Sequence, residues 1–151
     1  MASPVQTVAT VIGAGFLVFG ILGFVPGITT GYDTMTFAGH ESEAMLLGAF
    51  QVSVLHNAVH LLFGVAGLVL ARTATAARGY LIGGGIIYLA LWIYGAIIDH
   101  DSTANFVPVN MADQWLHLGL AAGMVLLGIA LGTRSTKTVS DPDEPGPGPI
   151  I

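Results

Sequence analysis

Histidine is the side chain best able to do chemistry here, and three copies fall at helical spacing among polar neighbours. His56 and His60 are one turn apart with Asn57 between them, while His117 follows Asp113 and Gln114. At about 100° per residue, Ser53, His56, Asn57, His60, Gly64 and Gly67 gather within one third of a helix circumference. Asn110, Asp113, Gln114, His117, Ala121, Met124 and Gly128 form a second such stripe. Three chemistries fit these residue types. Neutral imidazoles donate one hydrogen bond and accept another, with Asn57 and Gln114 as suitable partners, which makes an interhelical network. His56, His60 and His117 could instead ligate haem or a divalent metal, with Asn57, Gln114 or Asp113 orienting them. Ionisable groups within an apolar span also mark proton or solute paths. The network is the leading expectation.

Both stripes sit in apolar surroundings. The chain has 151 residues, 54% hydrophobic and 9% charged, against about a quarter charged in soluble domains. Four apolar stretches, roughly 5–25, 44–71, 77–98 and 111–132, approach the ~20 residues needed to cross ~30 Å of hydrocarbon. They predict an all-α, integral membrane four-helix bundle spanning residues 1–134, with the lipid bilayer as its first partner. The opening stretch reads as a retained span, because no Lys or Arg precedes it and its apolar run exceeds that of a secretory signal. Residues 135–151, with the run DPDEPGPGPII, read as a disordered acidic Pro/Gly tail. On these bounds His56 lies ~16 Å below the outer helix end and His117 ~9 Å, a mismatch that a boundary shift in the second helix would remove.

Charge sets the orientation. Arg72 and Arg78 follow the second stretch, Arg134 and Lys137 follow the fourth, and the opposite loops hold Asp33, Glu41, Glu43, Asp99 and Asp101 without a Lys or Arg. The positive-inside rule then places both termini in the cytoplasm. Trp92, Tyr94 and Trp115 fall at the outer ends, where aromatic belts form. Nine acids against four bases leave no basic patch, so nucleic acid is not an expected partner. The absence of cysteine excludes thiolate metal sites and a cysteine nucleophile.

Local patterns refine this frame. Ile12-Gly13-Ala14-Gly15 parallels Ile82-Gly83-Gly84-Gly85, and Asn57-Ala58-Val59-His60-Leu61 parallels Gln114-Trp115-Leu116-His117-Leu118. The chain thus reads as two related helical hairpins entering the membrane in the same direction, unless low-complexity apolar sequence produces the likeness by chance. Ala9, Gly13, Gly20, Gly23 and Gly27 make a small-residue groove at roughly helical spacing along the first helix. Residues 26–43 are longer than a helix connection needs, and loops of that size are often functional or carry local structure. His40, Glu41 and Glu43, like Asp99, His100 and Asp101, offer weak cation ligands in otherwise solvated acidic loops. Phe106-Val107-Pro108-Val109 should tuck against the bundle or the membrane surface, and Asp113 should complement the N-terminus of the fourth helix. Neither a nucleophile–base–acid set nor a phosphate loop can be traced, so enzyme activity has no support.

The runs LLGAFQVSVLHNAVHLLFGVAGL, GYLIGGGIIYLALWIYG and ANFVPVNMADQWLHLGLAAGM resemble a bacterial, largely actinobacterial, membrane family, domain of unknown function 4383. The resemblance covers roughly residues 5–132. It implies a four-helix plasma-membrane protein and carries no activity, cofactor or catalytic residue with it. The positions matching its distinctive motifs are Gln51, His56, Asn57, His60, Asn105, Asn110, Asp113, Trp115 and His117, which coincide with the polar stripes. Together these readings predict a structural or accessory membrane protein, with a second copy or another membrane protein as an expected partner.

Overall fold

The computed structural model describes residues 1–132; the tail over 135–151, with Arg134 and Lys137, lies outside them. Four helices carry the fold: α1 Pro4–Leu22, α2 Val54–Leu70, α3 Ala74–Ile97 and α4 Met111–Gly132. α1, α3 and α4 are long and apolar enough to cross a membrane; α2 has 17 residues and is shorter. Burial is the reverse of that in a soluble protein. Val11, Ile21, Leu62, Ile86, Ile93 and Leu126 are exposed, whereas His56, Asn57, Asp113, Gln114 and His117 are buried. That distribution suits lipid as the solvent, because polar groups turn inward when no water surrounds them. The chain is an all-α membrane helical bundle.

α1 begins in a capping box between Ser3 and Gln6 with Pro4 in its first turn. The Gln6 Nε2 also donates to the carbonyls of Ala71 (3.0 Å) and Arg72 (2.9 Å), tying the start of α1 to the end of α2. The two helices run antiparallel at close range. A Cβ at Gly13 would meet Gly64 O at 3.1 Å, and one at Gly20 would meet Asn57 O at 3.0 Å. α3 and α4 repeat the arrangement, since a Cβ at Gly85 would meet Ala121 O at 3.0 Å. The hairpins meet in the middle, where the Phe16 and Tyr88 rings stack at 5.3 Å.

The second apolar stretch is shorter as a helix than expected. Residues 44–53 do not extend α2; β1 Thr29–Thr30, β2 Met45–Leu46 and β3 Phe50–Gln51 form a small antiparallel sheet in the order β1-β2-β3. Leu47 (φ 54°) and Gly48 (φ 69°) turn the chain in the left-handed region, which a helix cannot contain. Ser53 then caps α2, its hydroxyl accepting from the His56 amide at 3.1 Å. The other ends shift less: α1 closes at Leu22, before Gly23, and α3 begins at Ala74, after the Thr73 cap, and ends at Ile97. The sheet and residues 98–110 form one cap over that end of the bundle. Gly39 donates to the Phe106 carbonyl at 2.7 Å, and the Asn110 Nδ2 donates to the Ala49 carbonyl at 2.8 Å.

Candidate functional site: a buried histidine layer

The shortened α2 brings His60 and His117 to one depth. At ~1.5 Å per residue, His60 in α2 and His117 in α4 both lie about 9 Å below their helix starts, and His56 about 3 Å. The His56 and His60 rings stack at 4.7 Å with 13° between planes, and His117 lies 6.4 Å from His56. Tyr88 meets His117 edge-on at 5.2 Å, while Phe16 lies 5.6 Å from His60. The three imidazoles therefore form one aromatic layer where the two hairpins meet.

Their hydrogen bonds go to the backbone rather than to the amides of Asn57 and Gln114. His56 Nδ1 donates to the Pro108 carbonyl at 3.2 Å, and His60 Nδ1 to the His56 carbonyl at 3.1 Å. Because a carbonyl only accepts, Nδ1 carries the proton in both rings and the neutral rings hold their lone pair on Nε2. Asn57 instead packs its amide where a Cβ of Gly23 would stand and donates to Met35 Sδ at 3.9 Å. Gln114 packs against Gly95 in the same way. Both Gln114 amide atoms and His117 Nδ1 are buried without a hydrogen-bond partner among the described residues.

Asp113 is the polar hub. Its Oδ2 accepts from the Gln51 amide (3.1 Å) and the Asn110 amide (3.0 Å), while Asn110 Oδ1 accepts from the Asp113 amide at 3.0 Å. This reciprocal pair caps α4 in the manner of a capping box. Gln51 in turn donates its side-chain amide to the carbonyls of His40 (3.0 Å) and Ser42 (2.8 Å). Pro108 O and the Gln51 backbone amide are the partners that residue types could not announce.

A cavity of about 10 Å³ lies between Asn57, His56, His60, Asp113 and His117, with apolar walls from Phe19 and Leu46 among others. That is the room of a single water. No group of three His, Asp, Glu or Cys among the described residues is placed to hold a metal ion. The His56 and His60 rings stack on each other, so a haem macrocycle does not fit between them. In the α3–α4 connection, His100 Nε2 donates to the Gly95 carbonyl at 2.7 Å, and Asp99 Oδ1 accepts from the Asp101 amide at 3.0 Å. Pro108 and Val109 are buried as expected, whereas Phe106 is exposed and meets Tyr94 at 6.0 Å.

The hairpin likeness holds at the level of contacts. Ser53 and Asn110 both cap, Asn57 and Gln114 each fill the space of a missing Cβ, and His60 and His117 share a depth. Gly13 approaches Gly64 as Gly85 approaches Ala121, so the counterpart of Gly13 is Gly85 rather than Gly83. On that register Phe16 corresponds to Tyr88, the pair that stacks between the hairpins.

No curated protein and no solved structure matches the chain. Residues 6–130 match the family model described as Domain of unknown function (DUF4383), and the chain belongs to that family.

Proposed function

We propose that this is a non-enzymatic structural or accessory protein of the bacterial plasma membrane, with four helices crossing the bilayer and both termini in the cytoplasm. The observation that carries the reading is reciprocal latching between hairpins. His56 in the first donates to Pro108 in the loop of the second, and Gln51 in the loop of the first donates to Asp113 in the second. Such bonds fix one helix arrangement.

Stability tests the latch. His56→Leu leaves the buried Pro108 carbonyl unpaired, for an expected loss of about 1–3 kcal/mol in reversible unfolding from mixed micelles. His60→Asn keeps a donor and should retain most stability, while His60→Leu should weaken the protein. Equal, negligible effects of all three would count against a structural role.

Orientation rests on Arg72 and Arg78 at the α2–α3 connection and on the acidic cap opposite. Because the chain lacks cysteine, single substitutions report sidedness. Thr103→Cys should react with an impermeant maleimide on intact cells, and Thr75→Cys only after lysis. The reverse pattern would invert the topology.

A further inference from the structure

Two lateral clefts open from the bundle toward lipid, and the hairpin repeat makes them counterparts. One lies between α1 and α4, walled by Ile12, Gly15, Phe16, Phe19, His60 and Leu120; the other lies between α2 and α3 and includes Phe63, Tyr80, Gly84 and Ile87. Ile12 corresponds to Gly84, Gly15 to Ile87 and Leu120 to Phe63, so their differences stand out against a shared frame.

Two differences point the same way. In the α2/α3 cleft the Tyr80 hydroxyl is satisfied, donating to the Phe63 carbonyl at 3.2 Å. In the α1/α4 cleft the polar wall residue is His60, whose Nδ1 is committed to His56 O. Its Nε2, the acceptor of the neutral ring, makes no hydrogen bond among the described residues, although the residue is only 8% exposed. At the wall position that Ile87 holds in one cleft the other has Gly15, with nothing within 4 Å of an added Cβ.

We propose that the α1/α4 cleft binds a bilayer-soluble phenol or alcohol, whose hydroxyl donates to His60 Nε2 while its apolar body lies between Phe16, Phe19 and Leu120. The wall chemistry selects this class. No charged side chain lines the cleft, so a charged head would be desolvated without a partner. A ketone or ester head offers only acceptors to an acceptor, and an amide adds a carbonyl with no donor to meet it. A hydroxyl supplies the missing donor. The volume of about 220 Å³ has room for an aromatic ring, since about 150 Å³ suffices for benzene. The opening faces lipid, so an apolar molecule dissolved in the bilayer reaches it without crossing water.

Nitrogen NMR of the full chain, labelled in histidine and held in phosphatidylcholine nanodiscs, tests this with hexylphenol against hexylbenzene. The His60 resonances are assigned from their loss in His60→Asn. Hexylphenol should move the His60 Nε2 resonance upfield along a saturable curve, and hexylbenzene should not. Gly15→Leu, which fills the cleft from a position with open space, should abolish the shift while leaving the unliganded histidine spectrum in place. An equal response to both probes, a shift that never saturates, or no shift in the unsubstituted protein would each overturn the proposal, and the two-probe comparison decides even where Gly15→Leu does not fold. None of these outcomes depends on the stability of the latch variants.

Discussion

Gly64→Leu is expected to destabilise the bundle by about 3 kcal/mol, at the upper end of the usual cost of overpacking. A Cβ at Gly64 would stand 2.7 Å from the Leu17 backbone nitrogen, and on the opposite helix a Cβ at Gly13 would stand 3.0 Å from the Leu68 nitrogen. Backbone cannot rotate away as a side-chain tip can, so α1 and α2 must separate along their whole interface. In lipid, helix association depends on close van der Waals packing rather than on hydrophobic exclusion from water, which makes such contact more consequential than in a soluble core. Gly119→Leu provides the comparison, because a Cβ there has nothing within 4 Å and should change stability by no more than about 0.5 kcal/mol. Unfolding of both variants from mixed micelles distinguishes the two sites. Similar losses would mean that the close approach at Gly64 does not set the cost, since the gain in helix propensity from Gly to Leu favours both variants alike.

The same contacts explain what could be read from the residues alone. α4 matches its expected bounds, Met111–Gly132, because its apolar run is continuous and begins at a polar cap. α2 does not, because mean hydropathy is the same for an apolar helix and an apolar strand. Gly48 in the middle of 44–53 was the visible sign of a break, and the left-handed Leu47 beside it was not visible at all. The later start of α2 matches His117 in depth with His60 rather than with His56, which now lies nearer the helix start. The polar stripes were legible because a period near 3.6 is a local property. Their partners were not, because Pro108 O and the Gln51 amide are backbone groups present at nearly every residue and distant in sequence from the side chains they meet. The repeat was legible in its polar half, where Asn57 and Gln114 fix the alignment. It slipped by two residues in the glycine half, where Gly83, Gly84 and Gly85 allow several registers and only the approach to Ala121 selects one.

Asp113→Ala should be among the most damaging single changes at the cap, because one oxygen serves two elements. Removing Oδ2 leaves the amides of Gln51 and Asn110 without their acceptor. A fully buried donor left unpaired costs about 1–3 kcal/mol; these two bonds are part-buried, so the combined loss is expected toward the lower end of that sum, at about 2–4 kcal/mol. Asp113→Asn keeps an oxygen that can accept from both amides and gives up the charge at the α4 N-terminus, a favourable contribution of about 0.3–1 kcal/mol at exposed sites. The asparagine variant should therefore lie much closer to the parent than the alanine variant. Hydrogen exchange separates the two mechanisms further. If Asp113 holds β3 to α4, protection at the Gln51 amide should fall at least about tenfold in Asp113→Ala, corresponding to 1.4 kcal/mol, and change little in Asp113→Asn. Equal losses in both variants would assign the role to charge. Unchanged stability and exchange in Asp113→Ala would show that the cap stays on the bundle without this carboxyl, and would remove one half of the latch on which the structural reading rests.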